Sequence, residues 1–285
     1  MQLQYFRPDS LEPALDWLID NDAQIAAGCT DLLPATTAPG LAGKVLDLTA
    51  ISDLRGISQD DEFWRFGATT TWTDVVNVEL PPAFKSLKLA AKEIGSIQIQ
   101  NAGTLAGNLC NASPAADGVP CWLSLNALIE LRSRNGTRKL PLSSFITGPR
   151  KTELLHGEIV SAILVPKSAA MGKSSFLKLG ARKYLIISIA MVAVRIHEKD
   201  GMVLEAAVSV GACNAVAQRL TGIENHLLGK SLDGDLSNQI TDEMLSDVLQ
   251  PIDDLRSDAA YRRVAAGELV RRCVDSLIAE RMAGS

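Results

Sequence analysis

Residues 98–117 read Gln98-Ile99-Gln100-Asn101-Ala102-Gly103-Thr104-Leu105-Ala106-Gly107-Asn108-Leu109-Cys110-Asn111-Ala112-Ser113-Pro114-Ala115-Ala116-Asp117, a run of small and short polar residues between two conventional elements. Gly103 and Gly107, with the small Ala102 and Ala106, let a backbone pass close to something else. Asn108 and Asn111 tolerate unusual dihedral angles and can hydrogen-bond a ligand or their own turn. Asp117 ends the run with an anionic acceptor suited to sugar hydroxyls. Asn101 to Asp117 is long for a plain connection, which usually takes about 4–6 residues. Its composition fits a ligand loop and a compact Ω-loop equally well.

A second stretch of the same kind lies near the start, IAAGCTDLLP from Ile25 to Pro34. A strand delivers the chain to Gly28, after which backbone N–H groups are exposed before Asp31-Leu32-Leu33 begins a turn or helix. Such a loop can wrap a pyrophosphate, because amide donors bind oxygen anions with no bulky side chain in the way. An ordinary strand-to-helix turn is the competing reading. The loop is neither a GxGxxG dinucleotide fingerprint nor a GxxxxGK[ST] phosphate loop.

Working outward, three units are expected. In the first, Leu3 to Phe6 is a strand and Ser10 opens a helix whose buried stripe is Leu11, Ala14, Leu15 and Leu18. AQIAAG and KVLDLT are further strands, and a helix is expected after the glycine loop. Ligands of such α/β units bind at the strand ends. The second unit runs from about 56 to 166. It has a strand in FWRFGA, a short helix from Thr71-Trp72-Thr73-Asp74, and a proline-opened helix in PPAFKSLKLAAKEI. A hairpin follows in ALIELRSRNGTRKLP, turning at Asn135-Gly136, and Pro166 stops the strand IVSAILVP. The third unit holds three strands, SFLKLGAR, ISIAMVAVRIH and MVLEAAVSVG, with Glu198 to Gly201 as a turn. A helix from about Val216 to Leu228 and two more helical stretches complete an antiparallel sheet covered by helices.

Composition sets the outer limits. With 285 residues, 47% of them hydrophobic, the chain can bury a sizeable core in two or three domains. A net charge of -5 with no Arg/Lys stripe leaves no footprint for nucleic acid. Cys29, Cys110, Cys121, Cys213 and Cys273 are odd in number and widely spaced, so small buried side chains in a reducing compartment are expected. No signal peptide is readable, and the longest apolar run, Tyr184 to Val194, is shorter than the roughly 20 residues of a membrane helix. A cytoplasmic protein without a membrane span is expected. His156, His197 and His226 read as surface or turn residues, and no metal site of the chain's own is expected.

Taken together, these motifs resemble the FAD-binding subunit of the molybdenum hydroxylases, the group that includes xanthine, nicotine and aldehyde dehydrogenases and carbon monoxide dehydrogenase. The family pattern is close to LLAGGTDLLP at the first loop and QIRNxGTIGGNLCxAxPAAD at the second. Further matches are YFRPDSLEPAL, PLSSFITGPRKTEL, GEIVSAILVP, FLKLGAR and PIDDLRSDAAYRR, so the resemblance covers essentially the whole chain. It implies an α+β fold: a vanillyl-alcohol-oxidase or PCMH-type FAD-binding part made of two α/β subdomains, 1–55 and 56–166. A C-terminal antiparallel sheet with helices, resembling the carbon monoxide dehydrogenase flavoproteins, would occupy 172–285.

The resemblance also implies sites and partners. Ile25, Ala26, Ala27, Gly28, Cys29, Thr30, Asp31 and Leu32 would form the first pyrophosphate loop, and Thr104, Leu105, Ala106, Gly107 and Asn108 the second. Ile94 would make an apolar contact to the flavin nucleotide, Asp117 would accept hydrogen bonds from FAD hydroxyls, and Val160 would supply an apolar wall. Lys178 would approach from the third unit. FAD would be held non-covalently, since no His or Tyr flanks the first loop. Molybdopterin would sit on a large partner subunit and [2Fe–2S] clusters on a small one, in a heterotrimer that passes electrons to an external acceptor. No residue of this chain is expected to be catalytic on the organic substrate. A flavin-free structural subunit and a self-contained flavin oxidoreductase are the alternatives.

Three departures from the family pattern stand out. Cys29 and Ala106 replace glycines, and Gln100 replaces an arginine. The expectation for Cys29 is accommodation with a negative φ, its N–H still facing the phosphate; for Ala106, a methyl that crowds the phosphate or narrows the pocket.

Overall fold

The computed structural model describes residues 3–36, 41–182, 187–251, 253–254 and 257–283. The first unit is β1 (Gln4–Phe6), α1 (Leu11–Ile19), β2 (Gln24–Ala26) and β3 (Lys44–Asp47), a parallel sheet in the order β1-β3-β2. Parallel pairing brings all three carboxyl ends to one edge, with Ala26 opposite Asp47. The expected stripe of α1, Leu11, Ala14, Leu15 and Leu18, is buried against Leu46, Ile51 and Leu54. Among the described residues, no helix follows the glycine loop. The chain makes one turn there, with Leu33 N–H bonded to the Cys29 carbonyl and Ala35 N–H to that of Asp31. Pro34 has no N–H and cannot extend it.

Five antiparallel strands form the second sheet in the order β4 (Ile57–Gln59), β5 (Phe63–Gly67), β10 (Ile159–Pro166), β6 (Leu128–Ser133), β7 (Gly136–Pro141). Central β10 is buried from Ile159 to Val165, which explains why its sequence is continuously apolar rather than alternating. The β6–β7 hairpin turns one residue earlier than expected. Ser133 pairs with Gly136, so Arg134 and Asn135 are the loop and Gly136 takes the positive φ of 129°. Of the helices α2 (Trp72–Asn77), α3 (Lys85–Glu93), α4 (Ile97–Ala102), α5 (Leu105–Asn111) and α6 (Gly118–Ser124), α5 packs on β5 and β10 of this sheet, and α4 packs on α2. Thr71 caps α2 in a reciprocal box with Asp74, as the Thr-Trp-Thr-Asp spacing suggests. The centre of the core is aromatic: Phe66 meets the Phe84 ring at 5.4 Å and the Trp122 ring edge-on at 5.0 Å. A short helix α7 (Leu142–Phe145) and the pair β8 (Ile146–Gly148) and β9 (Lys151–Thr152) lead back to β10.

The third sheet is β11 (Lys173–Leu179), β12 (Ala190–Lys199), β13 (Met202–Gly211) and β14 (Gln218–Arg219), all antiparallel. Asp200 and Gly201, with φ of 54° and 81°, make the two-residue β12–β13 turn that suits the strand twist. β14 occupies residues expected to be helical: pairing of Arg219 with Ser209 captures them at the sheet edge. Helix α8 (Thr221–Leu227) begins only afterwards, followed by α9 (Glu243–Ser246) and α10 (Ala259–Ala283). The apolar run of β12 is buried on both faces. Met191 and Ala193 pack into the core of the second unit, whereas Ala190, Val192, Val194 and Ile196 pack with Val270, Cys273 and Val274 of α10. Cys121, Cys213 and Cys273 are buried as expected, but Cys110 is exposed and Cys29 half-buried.

The aromatic centre is the support on which α5 and α6 rest. Phe66→Ala should destabilise the protein by about 3–5 kcal/mol through loss of contacts and a residual cavity. Denaturant unfolding followed by circular dichroism measures this; a loss below about 1 kcal/mol would contradict the packing described.

Candidate functional site

The first loop leaves β2 at Ala26, at the carboxyl edge of the parallel sheet. Among the described residues, no acceptor takes the backbone N–H groups of Gly28, Cys29, Thr30, Asp31 or Leu32. Five consecutive donors are thus available in one loop. Cys29 has a φ of +55°, contrary to the negative value expected of it. The turn that Leu33 closes onto its carbonyl holds it there. A left-handed cysteine costs about 1–2 kcal/mol relative to a relaxed backbone. Burial pushes the Cys29 thiol up, and the Asp47 charge adds to this. Although burial works against ionisation of Asp47 itself, hydrogen bonds from Thr49 and Tyr5 hold its carboxyl below the usual range.

The second stretch is mostly helical where a loop was one reading of the sequence. Thr104 caps α5, its hydroxyl accepting from Gly107 N–H at 3.2 Å. The other amides of this turn are engaged inside the fold: Leu105 N–H with the Thr70 carbonyl, Ala106 with Ala68, and Asn108 with Thr104. Ala106 lies in the first turn of α5, 6% exposed, and belongs to the second core. The expected crowding of a phosphate by its methyl therefore does not arise from the core-packed position it takes. Gln100 ties α4 to α3 through the Lys92 carbonyl at 3.2 Å. One polar atom here has no partner among the described residues: Asn108 Oδ1 is buried and unbonded.

The two loops meet main chain to main chain. A β-carbon added at Gly28 would lie 2.1 Å from the Ala102 carbonyl oxygen and 2.9 Å from Gly103 Cα. Only glycine permits that approach. Gly103 also bonds through its carbonyl to Trp72 N–H, at 3.3 Å, and was not among the residues assigned to the site from sequence.

A third cluster joins the second and third units. Asp117, 7% exposed, accepts from Lys178 Nζ at 2.6 Å and from Ser188 Oγ at 2.6 Å. Lys178 also donates to the Glu93 carbonyl at 3.2 Å. Burial pushes the Asp117 carboxyl up, while the Lys178 charge and the two hydrogen bonds oppose this. Beside Lys178 opens a cleft of about 610 Å³ between α3 and β11, lined by Leu89, Lys92, Glu93, Phe176 and Arg182 among others. Ile94 follows α3 directly and is half-buried against the second core. Val160, 4% exposed on β10, lies in that core with Leu105 and Ala106. Ser188 had no signal in the sequence, being one serine inside an apolar run.

A dinucleotide fits this arrangement on two observations: the row of unpartnered amides from Gly28 to Leu32, and the buried, unbonded Asn108 Oδ1 near the second loop. Because Cys29 is left-handed, Cys29→Gly should stabilise the protein by up to about 1 kcal/mol, less the greater unfolded-state entropy of glycine. Gly28→Ala should destabilise it, since the added methyl meets main chain. Urea unfolding of the two variants checks both signs; a destabilised Cys29→Gly would refute the strain.

Residues 1–168 match the family described as the FAD binding domain in molybdopterin dehydrogenase, and residues 175–277 match the CO dehydrogenase flavoprotein C-terminal domain. The chain is 30% identical to the nicotine 6-hydroxylase medium subunit of Paenarthrobacter nicotinovorans, covering 95% of this chain and 96% of that one. It is 28% identical to the carbon monoxide dehydrogenase medium chain of Hydrogenophaga pseudoflava, covering 96% of each. A solved structure of carbon monoxide dehydrogenase from that organism, lacking the Mo-pyranopterin moiety of its cofactor, superposes with a TM-score of 0.89 at 28% identity over 98% of both chains. The chain belongs to the FAD-binding domain family of the molybdopterin dehydrogenases and carries the C-terminal domain of the CO dehydrogenase flavoproteins.

Proposed function

We propose that this chain is the electron-transfer subunit of a molybdenum-containing hydroxylase or dehydrogenase, holding FAD non-covalently between its first two units. The observation that carries the proposal is the row of five amides at Gly28–Leu32, set against Gly103 of the second loop. A pyrophosphate is the ligand such a row suits, since it presents oxygen anions to donors with no side chain between. In this reading Ile25 to Leu32 form one wall and Thr104 to Asn108 the other, with the Asn108 side chain supplying polar contact. Ile94 and Val160 give apolar surface, Asp117 accepts from hydroxyls, and Lys178 brings a cation from the third unit. Units 1–55 and 56–166 hold the cofactor, and 172–285 closes over Asp117.

Bound FAD supplies a group that takes up electrons singly and gives them up in pairs. The side chains named above bind and orient it; none is assigned an acid, base or nucleophile role on an organic substrate. Relatives are named medium subunits or medium chains, so partner chains are part of the proposal. A small subunit with [2Fe–2S] clusters would deliver electrons, a large molybdopterin subunit would oxidise the substrate, and an external acceptor would receive the pair. A cytoplasmic heterotrimer is the assembly this reading implies.

The test is flavin content. The full chain, alone or coexpressed with cluster-binding and molybdopterin-binding partners, should retain about one FAD per copy, read from its visible absorption. Gly107→Val should lose it, because a β-carbon there would lie 2.7 Å from the Thr104 hydroxyl and would displace the cap that shapes the start of α5. Substrate-dependent dye reduction should require the complex. A complex assembled without flavin would favour the structural-subunit alternative, and substrate oxidation by the isolated chain would favour a self-contained flavoenzyme.

A further inference from the structure

Asp117 stands at the N-terminal end of α6, and its two carboxylate oxygens are held by two different elements of the third unit. Oδ2 accepts from Lys178 of β11, and Oδ1 from Ser188, two residues before β12. Ser188 is 1% exposed. An ionised carboxylate offers about four lone-pair sites, so two remain for donors of a ligand.

We propose that Ser188 is a positioning residue for the flavin site: with Lys178 it fixes the Asp117 carboxylate, ionised and in one orientation, as the acceptor for hydroxyl groups of bound FAD. The inference rests on the cofactor assignment made above. Its physical basis is geometric. A carboxylate held at one oxygen only can rotate about its last bond, whereas donors at both oxygens fix its plane. A buried hydroxyl that donates to the carboxylate also favours the charged form over the protonated one.

Among the described residues, few charged or titratable groups face Asp117. Lys178 faces it from β11, and Cys121 lies one turn along α6. Glu93, at the end of α3, contributes its carbonyl to Lys178. Burial already pushes the Asp117 carboxyl up, and Lys178 and Ser188 counter it. Without the Ser188 hydroxyl the carboxyl titrates at higher pH. As pH falls, the acceptor is then lost sooner, and FAD binding weakens sooner with it.

The experiment is FAD titration of the full chain, followed by flavin fluorescence from mildly acidic to mildly alkaline solution. Ser188→Ala should bind about tenfold more weakly at neutral pH, with its acid-side loss displaced to higher pH than in the wild type. Ser188→Thr, which keeps the hydroxyl, should restore affinity and profile. Asp117→Asn, which cannot ionise, should bind weakly with no such pH dependence. Should Ser188→Ala fail to fold, Ser188→Cys, a poor donor of similar size, is expected to show the same displacement. Wild-type affinity and an unshifted profile in the folded alanine or cysteine variant would overturn this inference alone. A wild-type chain that binds no FAD would overturn the cofactor assignment and this inference with it.

Discussion

The contact between Gly28 and the Ala102–Gly103 main chain is the constraint around which the cofactor site is organised. With a methyl at Gly28 placed 2.1 Å from the Ala102 carbonyl oxygen, no L side chain fits between the loops. Their amides and carbonyls therefore share one small region, although the loops belong to separate sheets. Two consequences follow. Among the described residues the five amides of the first loop have no acceptor, whereas those of α5 bond to Thr70, Ala68 and Thr104. One loop offers donors and the other offers shape.

The third unit is fastened to the second by buried charge. Arg195, wholly buried in β12, donates to the Ser124 carbonyl at the end of α6 and pairs with Glu205. Within the third unit, Arg262 of α10 reaches the Ile189 and Ala212 carbonyls and pairs with Asp254 at 2.6 Å, which holds α10 to its own sheet. Lys178 and Asp117, like Arg195 and the Ser124 carbonyl, tie the third unit to the second. Buried pairs add little stability relative to well-packed apolar residues, yet removing one partner costs about 3–5 kcal/mol because a charge is left without compensation. They fix where the third sheet sits more than they strengthen it. That role suits a unit whose contribution to the site, Lys178 and Ser188, depends on position.

The strain at Cys29 falls in the loop proposed to hold the cofactor. A left-handed non-glycine residue persists only where its surroundings over-determine it. Here the surroundings are the turn closed by Leu33 and the Asp47 network at the end of the central strand. The departure from glycine is thus carried by the loop at an energetic cost, and the row of donors is kept.

Much of this was legible in local patterns. The α1 stripe, the Thr71 capping box, the continuous apolar run of β10 and the order of motifs all depend on residues a few positions apart, where periodicity and capping chemistry act directly. The residues of both loops were also visible, because small residues and asparagines in such runs have few other uses. The helix expected after the first loop is only a turn, where Pro34 withholds one N–H donor, and the helix start near Val216 failed because a sheet edge captured Gln218 and Arg219. Only the tertiary structure could set the φ of Cys29, the inward turn of the Ala106 methyl, and the meeting of Ser188 with Asp117, 71 residues apart. Sequence patterns encode which backbone shape and which face a segment prefers. Partners brought together across long separations are chosen by packing of the whole chain, and that packing decided the geometry of this site.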